Sequence, residues 1–323
     1  IRNTADLKMI CRTYAWLAVP VVALFLYDWF TQRNIFGLMG GVPVETRVRD
    51  GRLRLQGAFP HPILAGTYWA CVLPLVYSYV RLKTSRTILA LVATAPLVLM
   101  VVLSRSSTSA LVLAAVMFGL AIYPMRQYIK YMRWGTALGL VFIHLVLAPP
   151  VWHLFMRLEV LGSSTGWHRY MLIDAAVSHW HEWVLIGVDS TAHWGGPFNN
   201  LTDVTNQFLL IGLNGGLISL MFFVAALGYA FAAIGNAWRS ARDTRFRFFY
   251  WAVGVVLFAH VAAFWSVSYV GQMVTLLSLS FAISAVLAEP AASRRVTVAP
   301  TRPHNHLRRR YCSMISSGTP LRT

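Results

Sequence analysis

The sequence predicts an all-α fold, a polytopic transmembrane helical bundle of about eight spans with a large outer loop that holds an interfacial helix. Three observations carry this. Hydrophobic residues make up 57% of the 323 residues and charged residues only 12%, against about 45–50% and about 25% in a soluble domain. Mean hydropathy is +0.57, more apolar surface than a soluble globule of this length can hide beneath a polar skin. The apolar residues also fall in runs near the roughly 20 residues that a bilayer crossing needs.

Taken in order, the runs are 13–30, 63–80, 87–104, 109–125, 136–154, 206–234, 248–267 and 270–288. The third and fourth are parted only by Ser104–Thr108 and read as a tight hairpin. The connections alternate in charge. Segments 1–12, 81–86, 126–133, 235–247 and the tail 289–323 together hold 20 of the 28 Lys and Arg, which puts them and both termini on the cytoplasmic side by the positive-inside rule. The same rule accounts for the net charge of +17 without nucleic acid as a partner. The two long outer connections are 31–62 and 155–205. The domain plan is therefore a bundle over 1–288 and a basic, Pro- and Ser-rich cytoplasmic tail over 289–323, disordered and close to anionic membrane lipids. The chain opens at Ile1 with no Met and no basic-then-apolar leader, and reads as the N-terminally truncated remainder of a longer protein, with further spans upstream. Cys11, Cys71 and Cys312 are too scattered for a disulfide or metal framework. The sequence carries no Walker loop, dinucleotide fingerprint or zincin motif, so it predicts no nucleotide cofactor and no metal.

Within the first outer loop, Arg47 is followed by Arg49, Arg52 and Arg54 and then by Phe59-Pro60-His61-Pro62. Five Arg and two acids in an outer loop oppose the positive-inside rule and ask for an anionic ligand. Arg54 falls at headgroup depth, where its planar fork suits phosphate. Pro60 and Pro62 flank His61 at a rigid helix entrance. In the second outer loop, Gly166-Trp167-His168-Arg169-Tyr170 leads into a segment to Trp183 with near-helical apolar spacing, an interfacial helix with Trp and Tyr at headgroup level. Glycosyl transfer needs a base near the acceptor hydroxyl and cations near the leaving phosphate. His168, His179, His181 and His193 are available for the first, and Arg for the second. His179 and His181 fall on different helix faces and make a poor metal pair. Gly212, Gly215 and Gly216 in the next span allow close approach.

Arg54-x-x-Gly57-x-Phe59-x-His61-Pro62, the Ser104–Ser109 hairpin, Gly166 to Arg169, Ile186-Gly187-Val188, Asn206-x-Phe208-Leu209 and Gly216-Leu217-Ile218 together resemble the O-antigen ligase and O-antigen (exopolysaccharide) polymerase superfamily, over about residues 50–235. The resemblance implies a metal-independent glycosyltransferase without cofactor in the bacterial cytoplasmic (inner) membrane. Its function is exopolysaccharide, O-antigen or lipopolysaccharide biosynthesis from an undecaprenyl-pyrophosphate-linked glycan. Other polysaccharide assembly proteins are implied as partners. By position, the resemblance implies that Arg54 and Arg169 bind pyrophosphate, that the polar hairpin Ser104–Ser109 lines the same outer cavity with Arg105 joining the binding, and that His61, Asn206 and His168 support. Ligases carry His immediately before the Asn that opens the span after the large loop, where this chain has Thr205. That departure shifts the reading from ligase to polymerase of lipid-linked repeats and leaves His193 and Asp203 as candidate bases. The alternatives are a ligase passing glycan to lipid A core or protein and, from another class, a polysaccharide transporter or flippase without chemistry.

Overall fold

The apolar runs form helices, and the computed structural model describes them over residues 4–146, 165–198 and 201–288. In chain order they are α1 (Thr4–Thr31), α2 (Pro62–Thr84), α3 (Thr87–Leu103), α4 (Ser107–Ala121), α5 (Ile129–Val146), α6 (Thr165–Ser178), the single turn α7 (Trp180–Trp183), α8 (Gln207–Ser240), α9 (Thr244–Phe264) and α10 (Gln272–Ala288). The all-α expectation needs one correction, a two-stranded antiparallel hairpin of β1 (Arg47–Arg49) and β2 (Arg52–Arg54) in the first connection. Asp50 and Gly51 make its turn with φ of 52° and 69°, the paired positive-φ geometry that Asp-Gly favours in two-residue hairpins.

Helix α2 is central because it is apolar on every side. It packs against α1, α3, α4, α9 and α10, and 72% of its most apolar window is buried, against 17% in α1 and 22% in α8. Its small residues Ala65, Gly66, Ala70 and Cys71 let neighbours approach. The rim helices instead show large apolar side chains such as Trp16, Phe30, Met221 and Phe222 to their surroundings, the arrangement a lipid solvent selects.

Of the eight expected spans, the described helices meet the length and composition of a full crossing in about half. Among the described residues, four helices are long and apolar enough to cross a bilayer, namely Ala5–Thr31, Pro62–Thr84, Gln207–Ser240 and Thr244–Phe264. A fifth results if α4 and the helix after it count together across a 78° bend. Helices α3 and α10 have 17 residues each and α4 has 15, about 25 Å or less at 1.5 Å per residue, short of the roughly 30 Å hydrocarbon layer. The fifth expected span starts early, at Ile129, and its positions 147–154 lie outside the described residues. So do 155–164 and 199–200 of the second loop and the tail 289–323.

Helix α8 is broken at Gly215 and Gly216, where Gly216 takes a φ of 74°. Close approach is the reason, and the approaching element is loop backbone. A Cβ on Gly216 would lie 2.3 Å from Leu185 O, while Leu217 N donates to Val184 O and Val188 N to Leu213 O. The break thus receives the end of the second outer connection.

All the connections expected outside meet at one end of the bundle. Leu55 N donates to Leu103 O, Gln272 Nε2 to Ala58 O, Tyr269 N to Gln207 Oε1 and Arg169 Nη2 to Thr108 Oγ1. Basic residues expected inside stack on rings elsewhere: Lys8 on Phe246, Arg81 on Phe248 and Arg126 on Tyr123.

Candidate functional site

The hairpin defines the site. Its register pairs Arg47 with Arg54 and Arg49 with Arg52, so four Arg side chains leave one face while Val48 and Leu53 take the other. Like charges directly opposite destabilise a hairpin. Among the described residues the set makes one ion pair, between Arg49 and the exposed Asp50 at 3.7 Å. Four guanidinium groups on one face with one such ion pair give this end of the chain a strongly positive surface.

Arg54 is the buried member of the set. Its guanidinium is half-buried, its Nε has no hydrogen-bond partner among the described residues, and burial followed by the charges of Arg49 and Arg47 lowers its pKa. Desolvated cations cost free energy unless paired, and no carboxylate is placed to pair it among the described residues. His61 sits beside it. Burial, then Arg54, Arg47 and Arg49, holds its pKa down at about 4. Its Nδ1 accepts from Ile63 N at 3.2 Å as the N-cap of α2. The ring is therefore neutral near pH 7 with hydrogen on Nε2, a donor without charge.

The serine hairpin is the floor of this region. Ser104, Ser106, Thr108 and Ser109 are buried. The expectation that the whole stretch lines a cavity is corrected: Ser104 Oγ donates to Val101 O, Ser109 Oγ to Ile63 O, and Ser106 caps α4. These hydroxyls close the helix junction. Gly66 of α2 presses on them so tightly that a Cβ there would lie 2.2 Å from Ser104 Oγ and 2.5 Å from Ser109 Oγ. Thr108 is the member that reaches outward, receiving Arg169 Nη2 at 2.8 Å. Arg169 is a second half-buried guanidinium, its pKa lowered by burial. Thr108 and Leu103, which hold Arg169 and the end of β2, bracket the same turn. Arg105 within that turn has a φ of 42° and stands exposed, its guanidinium 5.0 Å from the Trp29 ring.

The second connection folds over a small core of Leu172, Ala175, Ala176, Trp194, Leu201 and Leu213. His168 Nε2 donates to Asp203 O at 3.0 Å, and the Asp203 side chain is exposed. Asn206 is buried and caps α8, its Oδ1 accepting from Leu209 N at 3.1 Å, so its place beside the site is that of a helix cap. Thr205 Oγ1 is buried without a hydrogen-bond partner among the described residues. His193 is exposed, with Nε2 2.8 Å from Glu182 Oε2. Trp194 Nε1 donates to the same oxygen at 2.9 Å, and the indole, followed by His193, holds the Glu182 carboxyl below its usual range. Two features escaped the sequence reading. Glu182 lies eleven residues from His193 and no spacing rule links them. The Arg hairpin did carry a signal, Asp50-Gly51 between two Arg-x-Arg triplets. Among the described residues no group of three or more His, Cys, Asp or Glu is arranged to hold a metal.

Compared with family models, curated proteins and solved structures, the chain matches none.

Proposed function

We propose that this chain is a membrane glycosyltransferase that polymerises lipid-linked oligosaccharide repeats, using undecaprenyl-pyrophosphate donors, at the outer face of the bacterial cytoplasmic membrane. In this reading the shorter helices complete eight crossings, both chain ends are cytoplasmic, and the arginine end of the bundle with its large loop is periplasmic. The observation that carries the reading is the hairpin face of Arg47, Arg49, Arg52 and Arg54, with Arg54 half-buried and lacking an acidic partner. A pyrophosphate supplies the missing charge, and guanidinium forks bind its oxygens in pairs. The neutral Nε2–H of His61 adds a donor. As the bond from the anomeric carbon to the pyrophosphate breaks, negative charge grows on the leaving oxygen, and fixed cations in a partly dry site stabilise it more than water does. Arg169 supports the same site from the second loop. Thr205, whose hydroxyl is no base near neutral pH, favours polymerase over ligase.

The test is turnover by the purified full-length chain of an undecaprenyl-pyrophosphate-linked repeat, read as longer glycans and released undecaprenyl pyrophosphate. Arg54→Ala and Arg169→Ala should each abolish elongation at normal protein levels. A ligase moves glycan to a foreign acceptor without lengthening it, and a transporter releases no carrier, so the products separate the three readings. Undiminished elongation by Arg54→Ala would falsify the assignment.

A further inference from the structure

Attack of a sugar hydroxyl on an anomeric carbon sets free a proton that some group must accept. His61 is not that group, because Ile63 N–H engages its Nδ1 and its Nε2 already carries hydrogen. His168 spends its Nε2 on the carbonyl of Asp203. His179 spends its Nδ1 on the carbonyl of Ala175 and stacks on Trp194 at 5.1 Å and 14°.

His193 differs. The Glu182 carboxylate can only accept, so the 2.8 Å contact fixes hydrogen on His193 Nε2. The neutral ring then presents an unprotonated Nδ1, and the side chain is 57% exposed. The carboxylate is itself immobilised, because Trp194 Nε1–H donates to the same oxygen. Trp194 is anchored in the buried core with Leu172, Ala175 and Ala176, and Trp183 Nε1 ties α7 back to Ala176 O at 2.8 Å. The ring is thus oriented by a carboxylate that is oriented in turn, the support a proton acceptor needs. Arg169 lies on α6 with Leu172, Ala175 and Ala176, so one packed unit carries both a phosphate-binding group and this pair.

We propose that Glu182 and His193 form the proton-accepting pair for the acceptor hydroxyl, an assignment that rests on the polymerase reading above. His193 Nδ1 takes the hydroxyl proton as the hydroxyl oxygen bonds to the donor's anomeric carbon. The bond from that carbon to the pyrophosphate oxygen breaks and its electron pair leaves with the pyrophosphate. Glu182 stabilises the imidazolium through Nε2–H until Nδ1 passes its proton to water.

The experiment uses the full-length chain in lipid nanodiscs, with an undecaprenyl-pyrophosphate-linked repeat as substrate and inorganic pyrophosphate as a separate binding probe. His193→Ala should lower kcat by about 100-fold or more while pyrophosphate still binds. Added imidazole should restore part of the lost rate, because the exposed position leaves room for a free ring. Glu182→Gln should lower kcat less and displace the pH–rate profile. Undiminished turnover by His193→Ala overturns the pair. So does a loss that His193→Asn recovers and imidazole does not, since that is the signature of a structural hydrogen bond. A wild-type chain that binds pyrophosphate and extends no glycan overturns the polymerase reading, and the pair with it. Elongation by wild type alongside an unaffected His193→Ala overturns the pair alone.

Discussion

Replacing His61 with Asn separates its two roles. Asn keeps the N-cap, because its side-chain oxygen can accept from Ile63 N as the imidazole does, but it cannot titrate. In the folded chain burial and three arginines hold His61 at about 4, while in the unfolded chain it titrates near 6.5. The unfolded state therefore binds the proton first as pH falls. The stability that His61 contributes by staying neutral is complete above about pH 6.5 and is lost as pH falls toward 4. At about 1.4 kcal/mol per pH unit the ceiling is roughly 3 kcal/mol. Water reaches part of this half-buried ring, and screening brings the figure to about 2 kcal/mol. For a bundle of this size that is a difference of roughly 3 °C in Tm. Thermal unfolding followed by tryptophan fluorescence in nanodiscs, at pH 7.5 and pH 4.5, reads it directly. Wild type should lose that much more stability on acidification than His61→Asn. Saturating pyrophosphate should shrink the gap by cancelling the arginine field. Equal acid sensitivity in the two proteins refutes the placement of His61 in that field.

Arg54→Lys keeps the charge but loses the fork, so pyrophosphate affinity by calorimetry should fall about 10-fold, corresponding to one lost charge-assisted hydrogen bond; unchanged affinity contradicts bidentate binding. Gly66→Ala drives a Cβ into Ser104 and Ser109 and should cost about 1–3 kcal/mol by overpacking, seen as a lowered Tm. Asn206→Ala should cost about 1 kcal/mol as a lost cap, while Asn206→Asp restores it; if Asn206→Asp keeps wild-type Tm but abolishes elongation, Asn206 touches substrate. Raising salt from 50 to 500 mM should weaken pyrophosphate binding steeply, because the Arg47, Arg49 and Arg52 charges face water.

The sequence determined by itself that this chain is helical and suited to a bilayer, because apolar run length is a local property that no packing detail reverses. It also located the clustered arginines, since an Arg-rich connection expected on the outer side breaks a charge rule visible in one dimension. Crossing number was less legible. The runs 87–104 and 270–288 form the helices they predict, Thr87–Leu103 and Gln272–Ala288, but at 17 residues each they fall short of the roughly 20 that a crossing needs. Only tertiary structure decided what each singled-out residue does. Asn206 and His61 both read as site residues, and both cap helices, because a cap is defined by a backbone N–H two or three residues on. The serine hairpin read as cavity lining, and most of it is sealed beneath Gly66, because a missing Cβ on α2 admits hydroxyls from a segment 40 residues away. Glu182 was invisible until a loop returned Trp194 and His193 to it. Periodicity and charge count report what each residue is beside in the chain. The four-arginine face and the carboxylate-imidazole pair depend on what the folded backbone sets opposite it, through hydrogen bonds and ring contacts that span a hairpin register or a loop closure.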